Sequence, residues 1–467
     1  MKIKLKIEIK SDNNDEIIEE SETLILNKEC NGVEDIGLSI SESKEILKYL
    51  QFNVVKTQAD KYMNNYNHCD ECKKKMRKNG YNSILFRTLF GNISLKSPKL
   101  YNCDCKSSNQ KTFSPLITLF SERTSPELLY FESKLSSLMS YEMSEKIIKD
   151  FFPVDKKLNK SSIRLKTLEV ARRCEDELGE EQVIFINGCQ LDWDKLPPAD
   201  DPITVGIDGA YIKQWKNRKK HFEVITGRSI TADKESKYFG FVQRYDKKSK
   251  RRLYEVLNSQ GMQQNQEIIF LSDGEEALSR LQQYLNPNAC HVLDWFHITM
   301  KITVLNQFIK GLIKIDKTIG NEIEKCLMST KWNLWHGHVR RAFEIFEDLE
   351  ALTYEFEDKY NNFGKLIKHI NEFHTYIKRN SPMIPDYSTA YHAGYPISTA
   401  FVESTVNSFI AKRFSKKQQM QWTEEGVHLL IQIRAKILNK ELKGIFKKKY
   451  NNFMIESEEK VLNDKAA

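Results

Sequence analysis

Three acidic residues, Asp208, Asp273 and Glu403, end or follow apolar segments across the C-terminal two-thirds of this chain. In ITVGIDGAYI a β-branched run reaches Asp208 and then a glycine, which lets the backbone approach a ligand closely. EIIFLSDGEEAL repeats the pattern: a buried-strand run delivers Asp273 to a strand's C-terminal end, and GEEALSRLQQYL reads as an amphipathic helix. Glu403 lies in STAFVESTVNSFIAKR, whose periodicity is helical. Two strand-borne acids and one helix-borne acid can hold a pair of Mg²⁺ or Mn²⁺ ions roughly 4 Å apart, as in-line displacement at phosphorus requires. Each acid alone also has a plain structural role open to it, in an Asp-Gly turn, a helix cap or an exposed helix face. Taken together and in this order, they favour a nuclease-like metal site. Further on, CHVLDWFH sets Asp294 and His297 three apart at a strand-to-helix exit. That pair could orient a phosphate or an attacking water, or simply cap the helix, and Asp294 competes for a metal-ligand role.

The elements around these acids read as a ribonuclease H-like α/β sheet. ITVGIDGAYI, HFEVITGRSI and YFGFVQRYD are close enough to pair antiparallel, and helix RRLYEVLNSQ, strand EIIFLSDG, a helix and strand ACHVLDWFHI follow. From about 298 to 390 the pattern turns helical and forms an insertion between the second and third acids. The tail from Trp422 reads as one or two amphipathic helices with a basic end.

A second constellation lies upstream. Cys69 and Cys72 are followed by Cys103 and Cys105, and the intervening YNSILFRTLFGNISLKSPKLY alternates like a β-hairpin turning at Gly91. Two knuckles flanking a hairpin make a zinc ribbon, in which four thiolates on one Zn²⁺ stabilise a fold too small to have a core. The second knuckle is CxC, and His68 could replace one sulfur. The other five of the nine cysteines stand apart, against a disulfide framework. Upstream, an amphipathic strand opens the chain, and SESKEILKYLQFNVVKTQADKYMNNY carries a serine cap and helical periodicity. Residues 122–175 read as short helices. The last could serve as the recognition helix of a helix-turn-helix, with Arg164, Lys166, Arg172 and Arg173 on DNA, or belong to an ordinary helical linker.

The expected organisation is therefore an N-terminal strand and helix region over 1–66, a zinc-ribbon-like module over 67–120 and a helical DNA-binding region over 121–180, with a catalytic domain over 200–445 and a basic tail over 446–467. At 467 residues, 40% hydrophobic and 29% charged, the composition is that of a globular protein of several domains. A net charge of +8 is mild, but it gathers in KQWKNRKKH, YDKKSKRR, AKRFSKKQ and IFKKKY. Of these, Lys216, Arg218, Lys219, Lys220, Arg413, Lys416 and Lys417 are expected to hold a DNA backbone, with Trp422 either stacking on an unpaired base or packing in the core. No apolar stretch is long enough to span a bilayer and the N-terminus is no signal peptide, so a cytoplasmic, nucleoid-associated protein is expected.

Between roughly 200 and 440 the chain resembles prokaryotic insertion-sequence transposases of the DDE class, related to the Mutator superfamily. The residues that carry the resemblance are Asp208-Gly209-Ala210-Tyr211, Asp273-Gly274, Asp294-Trp295-Phe296-His297 and Val402-Glu403-Ser404. HAGYPISTAFVES departs from the family's SGxxES approach in lacking the second glycine. The resemblance implies metal-dependent strand cleavage and strand transfer on double-stranded DNA, terminal repeats bound by the N-terminal modules, and a homodimer that brings two element ends together. Two alternatives remain: a domesticated or inactive transposase that only binds DNA, and a ribonuclease H-like nuclease that only cuts.

Overall fold

Alternation and β-branching in ITVGIDGAYIK produce the longest strand of a five-stranded mixed sheet. In a computed structural model the described residues are 1–10, 17–20, 23–105, 111–182, 185, 189–217, 219–274, 289–415 and 422–455. They form two units, one of residues 1–170 with 441–467 and one of residues 171–440.

In the first unit, β1 (Lys2–Leu5), β2 (Glu8–Lys10), β3 (Ile17–Glu20) and β4 (Leu24–Asn27) form two small antiparallel ladders, β1 with β4 and β2 with β3. Helix α1 (Ile40–Asn64) follows. Its capping box uses Ser39 with Glu42, two residues before the serine that opens SESKEIL, because only Ser39 lies three residues ahead of that glutamate. The hairpin is formed by β5 (Lys78–Thr88) and β6 (Gly91–Tyr101), with Gly91 at φ 114°, and short β7 (Thr112–Phe113) joins its edge. The ribbon-like module does have a core: Val55 and Ala59 of α1 pack with Ile84, Ile93, Leu95 and Leu116, the last from α2 (Pro115–Leu119). The expectation of a coreless module overlooked that the preceding helix lies on the hairpin. Three further helices follow, α3 (Pro126–Leu138), α4 (Tyr141–Phe151) and α5 (Lys160–Glu177), the first two capped by Ser125 and Ser140.

In the second unit the short α6 (Gln190–Trp193) precedes β8 (Ile203–Lys213), β9 (His221–Ile230), β10 (Ser236–Val242), α7 (Ser249–Asn258), β11 (Ile268–Ser272) and β12 (Ala289–Leu293). The sheet order is β10-β9-β8-β11-β12, antiparallel within the first three and parallel from β8 to β12. The helix expected over 274–285 lies, beyond Gly274, outside the described residues.

The predicted insertion is α8 (Trp295–Ile313), α9 (Lys317–Trp335), α10 (Val339–Thr353), α11 (Phe363–Asn380) and α12 (Tyr387–His392). Leu366, Ile370, Phe373 and Ile377 recur at helical spacing on α11 and are buried, each burial contributing about 1.5–3 kcal/mol. They join one core with Leu271, Val292 and Leu293, so the insertion is anchored to the sheet edge. Helix α13 (Ala400–Thr405) carries Glu403 and continues as a π-helical segment, Val406–Ser415. In α14 (Glu424–Leu438) every residue from Gly426 to Ala435 is buried, so this helix is central and not amphipathic. The last helix, α15 (Leu442–Lys449), belongs to the first unit, where Phe446 meets Tyr130 edge-on at 5.4 Å. Residues 441–445 therefore leave the domain to which the sequence reading gave them.

Candidate metal and phosphoryl-transfer site

Strand register decides where the acids stand. Leu271 of β11 lies opposite Gly206 of β8, and Ser272 lies opposite Leu293 of β12. Continued past the paired residues, those registers bring Asp208, in the middle of β8, level with Asp273 and Asp294, which directly follow the C-terminal ends of β11 and β12. Burial pushes the Asp208 carboxyl up, and Asp273 and Asp294 add to that, while the Gly209 N–H at 2.8 Å and His297 oppose it. Among the described residues the groups of three or more side chains at metal-ligand spacing are the four cysteines and Glu175, Asp246 and His428, so Asp208, Asp273 and Asp294 act on one another by charge without standing at that spacing, and a divalent cation would relieve their repulsion.

Asp294 is committed elsewhere. Wholly buried, it accepts hydrogen bonds from Phe296 N–H (2.8 Å), Thr399 N–H (3.0 Å), the Thr399 hydroxyl and His297 Nδ1 (2.6 Å). Burial alone would raise its pKa, but the bonds from His297 and Thr399 outweigh it and hold the carboxyl below its usual range. With its lone pairs filled, Asp294 caps α8 and orients His297, and the metal-ligand role for which it competed is corrected. The contact with Asp294 raises His297 against the effect of burial, with Asp273 and Asp208 adding to it. Behind Asp273, the Ser272 hydroxyl accepts from Gly274 N–H at 3.3 Å and lies 2.7 Å from His291 Nε2. Burial lowers His291 to about 4. Gly274 has φ 86°, and a Cβ there would lie 2.6 Å from Asn380 Oδ1, so this turn requires glycine.

Helix α13 is held to the sheet by a missing side chain. A Cβ on Gly206 would lie 2.2 Å from Val402 Cγ2 and 2.6 Å from Phe401, so only glycine admits the helix at this depth. Gly206 and Asp208 share a face of β8, and Glu403 directly follows Val402. The Glu403 side chain lies outside the described residues. Beside the row opens a cavity of about 800 Å³, lined by Asp273, Gly274 and His297 on one side and by residues of α8 and α11 on the other.

The cysteine site is more compact. Cys69 and Cys105 sulfurs lie 3.4 Å apart, those of Cys72 and Cys103 3.2 Å, and all four fall within 4.8 Å of one another. A tetrahedral ion at about 2.3 Å from each sulfur needs edges of this order, so the four cysteines form a possible metal-binding cluster without His68. Backbone N–H groups of Cys72 and Glu71 bring the Cys69 thiol down to about 6.

The expected DNA contacts divide. Lys216, Lys219, Lys220 and Arg164 are exposed, the three lysines in the β8–β9 turn. Arg218, Lys416 and Lys417 lie outside the described residues. One assignment is corrected, since Arg413 is wholly buried; Trp422 takes the core-packing alternative, 4% exposed and edge-on against Phe414 at 4.8 Å. The Arg413 guanidinium stacks 5.0 Å from the Trp422 ring, so the pair builds the core beneath the β8–β9 turn, where Trp422 O accepts from Trp215 N–H. Lys166 pairs with Glu169 (2.8 Å) and Arg172 with Glu425 (2.7 Å), while Arg173 is half-buried.

Sequence reasoning missed the network at Arg252. Its buried guanidinium binds both oxygens of Glu175 (2.8 Å each), Asp246 (3.0 Å) and Gln432 (2.7 Å), and His428 lies 3.2 Å from Glu175. Glu175, Asp246 and His428 have ligand-like spacing, but the guanidinium occupies their centre. Arg252 had been counted within a solvent-facing basic cluster, and nothing local in YDKKSKRR distinguishes it. Thr399, Ser272 and His291 were also missed, because their partners are remote in sequence.

No family model matches the chain, and no curated protein matches it in sequence. Among the described residues, no helix is long and apolar enough to cross a membrane.

Proposed function

We propose that the chain is a DDE-type transposase that cleaves DNA and transfers strands at the ends of an insertion sequence. The observation that carries this is the parallel pairing of Leu271 with Gly206, which when continued by two residues puts Asp273 beside Asp208, with the helix bearing Glu403 packed on Gly206. The sheet order, with its second strand antiparallel to the first, is that of ribonuclease H-like folds, and it supports the catalytic reading. Asp208, Asp273 and Glu403 would hold two Mg²⁺ or Mn²⁺, which supply Lewis-acid charge and a more acidic water. The chain's part is positioning: Asp294 fixes His297 at the cavity mouth, and the Ser272–His291 pair steadies the Asp273-Gly274 turn. Zn²⁺ is the ion proposed for the four cysteines. The basic β8–β9 turn and the helices of the first unit support double-stranded DNA as partner, bound by a homodimer in the nucleoid of a cytoplasm.

The test is Mg²⁺- or Mn²⁺-dependent cleavage and joining of a labelled DNA end taken from this gene's own flanking repeats, wild type against Asp273→Ala. Joining that the substitution abolishes supports the reading. Cleavage without joining indicates a nuclease, and sequence-specific binding without cleavage indicates a DNA-binding derivative.

A further inference from the structure

The cavity beside Asp273 has a second wall to which no role has yet been given. On α8, Lys301 lies one turn beyond His297; on α11, Lys368, Glu372, Tyr376 and Arg379 line the same space, three cations to one carboxylate on this wall. Lys301 Nζ sits 4.6 Å from the centre of the Tyr376 ring. Among the described residues the buried Tyr376 hydroxyl has no hydrogen-bond partner, and burial together with Asp273 and Asp294 raises its pKa. Arg379 is exposed, and Lys368 meets Glu372 only at 3.8 Å across open surface, so both keep donors for a ligand. A row of carboxylates repels a phosphodiester unless cations stand opposite, and three do.

We propose that this wall seats the DNA backbone on one side of the cut. Lys301, Lys368 and Arg379 take up phosphate oxygens, Lys301 held over the Tyr376 ring, so that the helical insertion forms one face of the substrate site. This rests on the phosphoryl-transfer reading.

The experiment uses the full chain carrying K368A and R379A together, two exposed positions whose loss leaves the core intact. Binding of a fluorescein-labelled DNA duplex is measured in Ca²⁺ across a salt series. The expected result is affinity lower by about tenfold and a slope of log K against log salt shallower by about 2, since each lost phosphate contact removes roughly 0.9. The same measurement on R340A with R341A, exposed residues of α10, should leave the slope unchanged. Wild-type slope and affinity in the Lys368/Arg379 variant, or equal losses in the α10 pair, would overturn the proposal. If no variant or wild type cleaves DNA in Mg²⁺, the catalytic reading fails; if cleavage proceeds but the slope does not move, only this wall does.

Discussion

The cysteine cluster and the carboxylate row are both charged sites, but they are assembled over different ranges. One antiparallel pairing, Lys78 opposite Leu100, is enough to bring the two knuckles at the hairpin's open end together. The carboxylate row needs two parallel pairings, an anchored helical insertion and a helix seated on Gly206. A locally built site depends on its own ligands, whereas a site assembled at long range depends on packing well away from its chemistry. Substitutions remote from the ligands should therefore damage the second site and spare the first.

The largest effect expected is metal removal from the cysteines. Binding of a structural Zn²⁺ amounts to about 10 kcal/mol or more in peptides without a core. Cys72→Ser should lower bound zinc from one per chain to none. Amide exchange should then accelerate in the knuckles, while Ile84 and Ile93, which share a core with α1, stay protected. Loss of protection throughout the hairpin would erase the contrast in range.

Arg252→Ala should cost about 3–5 kcal/mol in denaturant unfolding, since it strands two buried carboxylates. The same network gives a pH signature. Burial would raise Glu175, but His428 and Arg252 outweigh it and hold it at about 2, so its contribution is present above about 4.5 and lost as pH falls towards 2. In the variant that acid limb should shrink, the part owed to His428 remaining.

Gly206→Ala sharpens the comparison further. Its Cβ would displace Val402, costing about 1–3 kcal/mol of overpacking, and a shift of about 1 Å in α13 should lower DNA cleavage about a hundredfold. Zinc content should not change.

The smallest effect is on His297. Its pKa is raised chiefly by Asp294, so the stabilisation from that pair is complete below about 6.5 and lost as pH rises through the folded value. In Asp294→Asn the His297 titration followed by NMR should move down, removing that alkaline limb.

How much of this was legible in the sequence follows the same division by range. The knuckles, the hairpin turn and the serine caps are local, and composition and spacing expose them. The segments bearing Asp208 and Asp273 are local as well, because β-branched alternation marks the first and a strand followed by an Asp-Gly turn marks the second. Their alignment is not: it depends on register between segments more than sixty residues apart. Arg413 and Trp422 read as DNA contacts because a basic, aromatic segment looks the same whether solvent or core receives it. Only packing against Phe414 distinguishes the two. Lys301 had a faint signal, one turn from His297, whereas Lys368 and Arg379 had none, since helical periodicity does not say which polar face borders a cavity.

The central claim is that a strand-borne and a helix-borne carboxylate act as one unit. It is tested most directly by single-turnover Mg²⁺-dependent cleavage of a DNA end by Asp273→Asn, Glu403→Gln and the double variant. The account predicts a loss of about a thousandfold or more in each single variant and no further loss in the double, as for residues that act together. Wild-type cleavage by Glu403→Gln would contradict it.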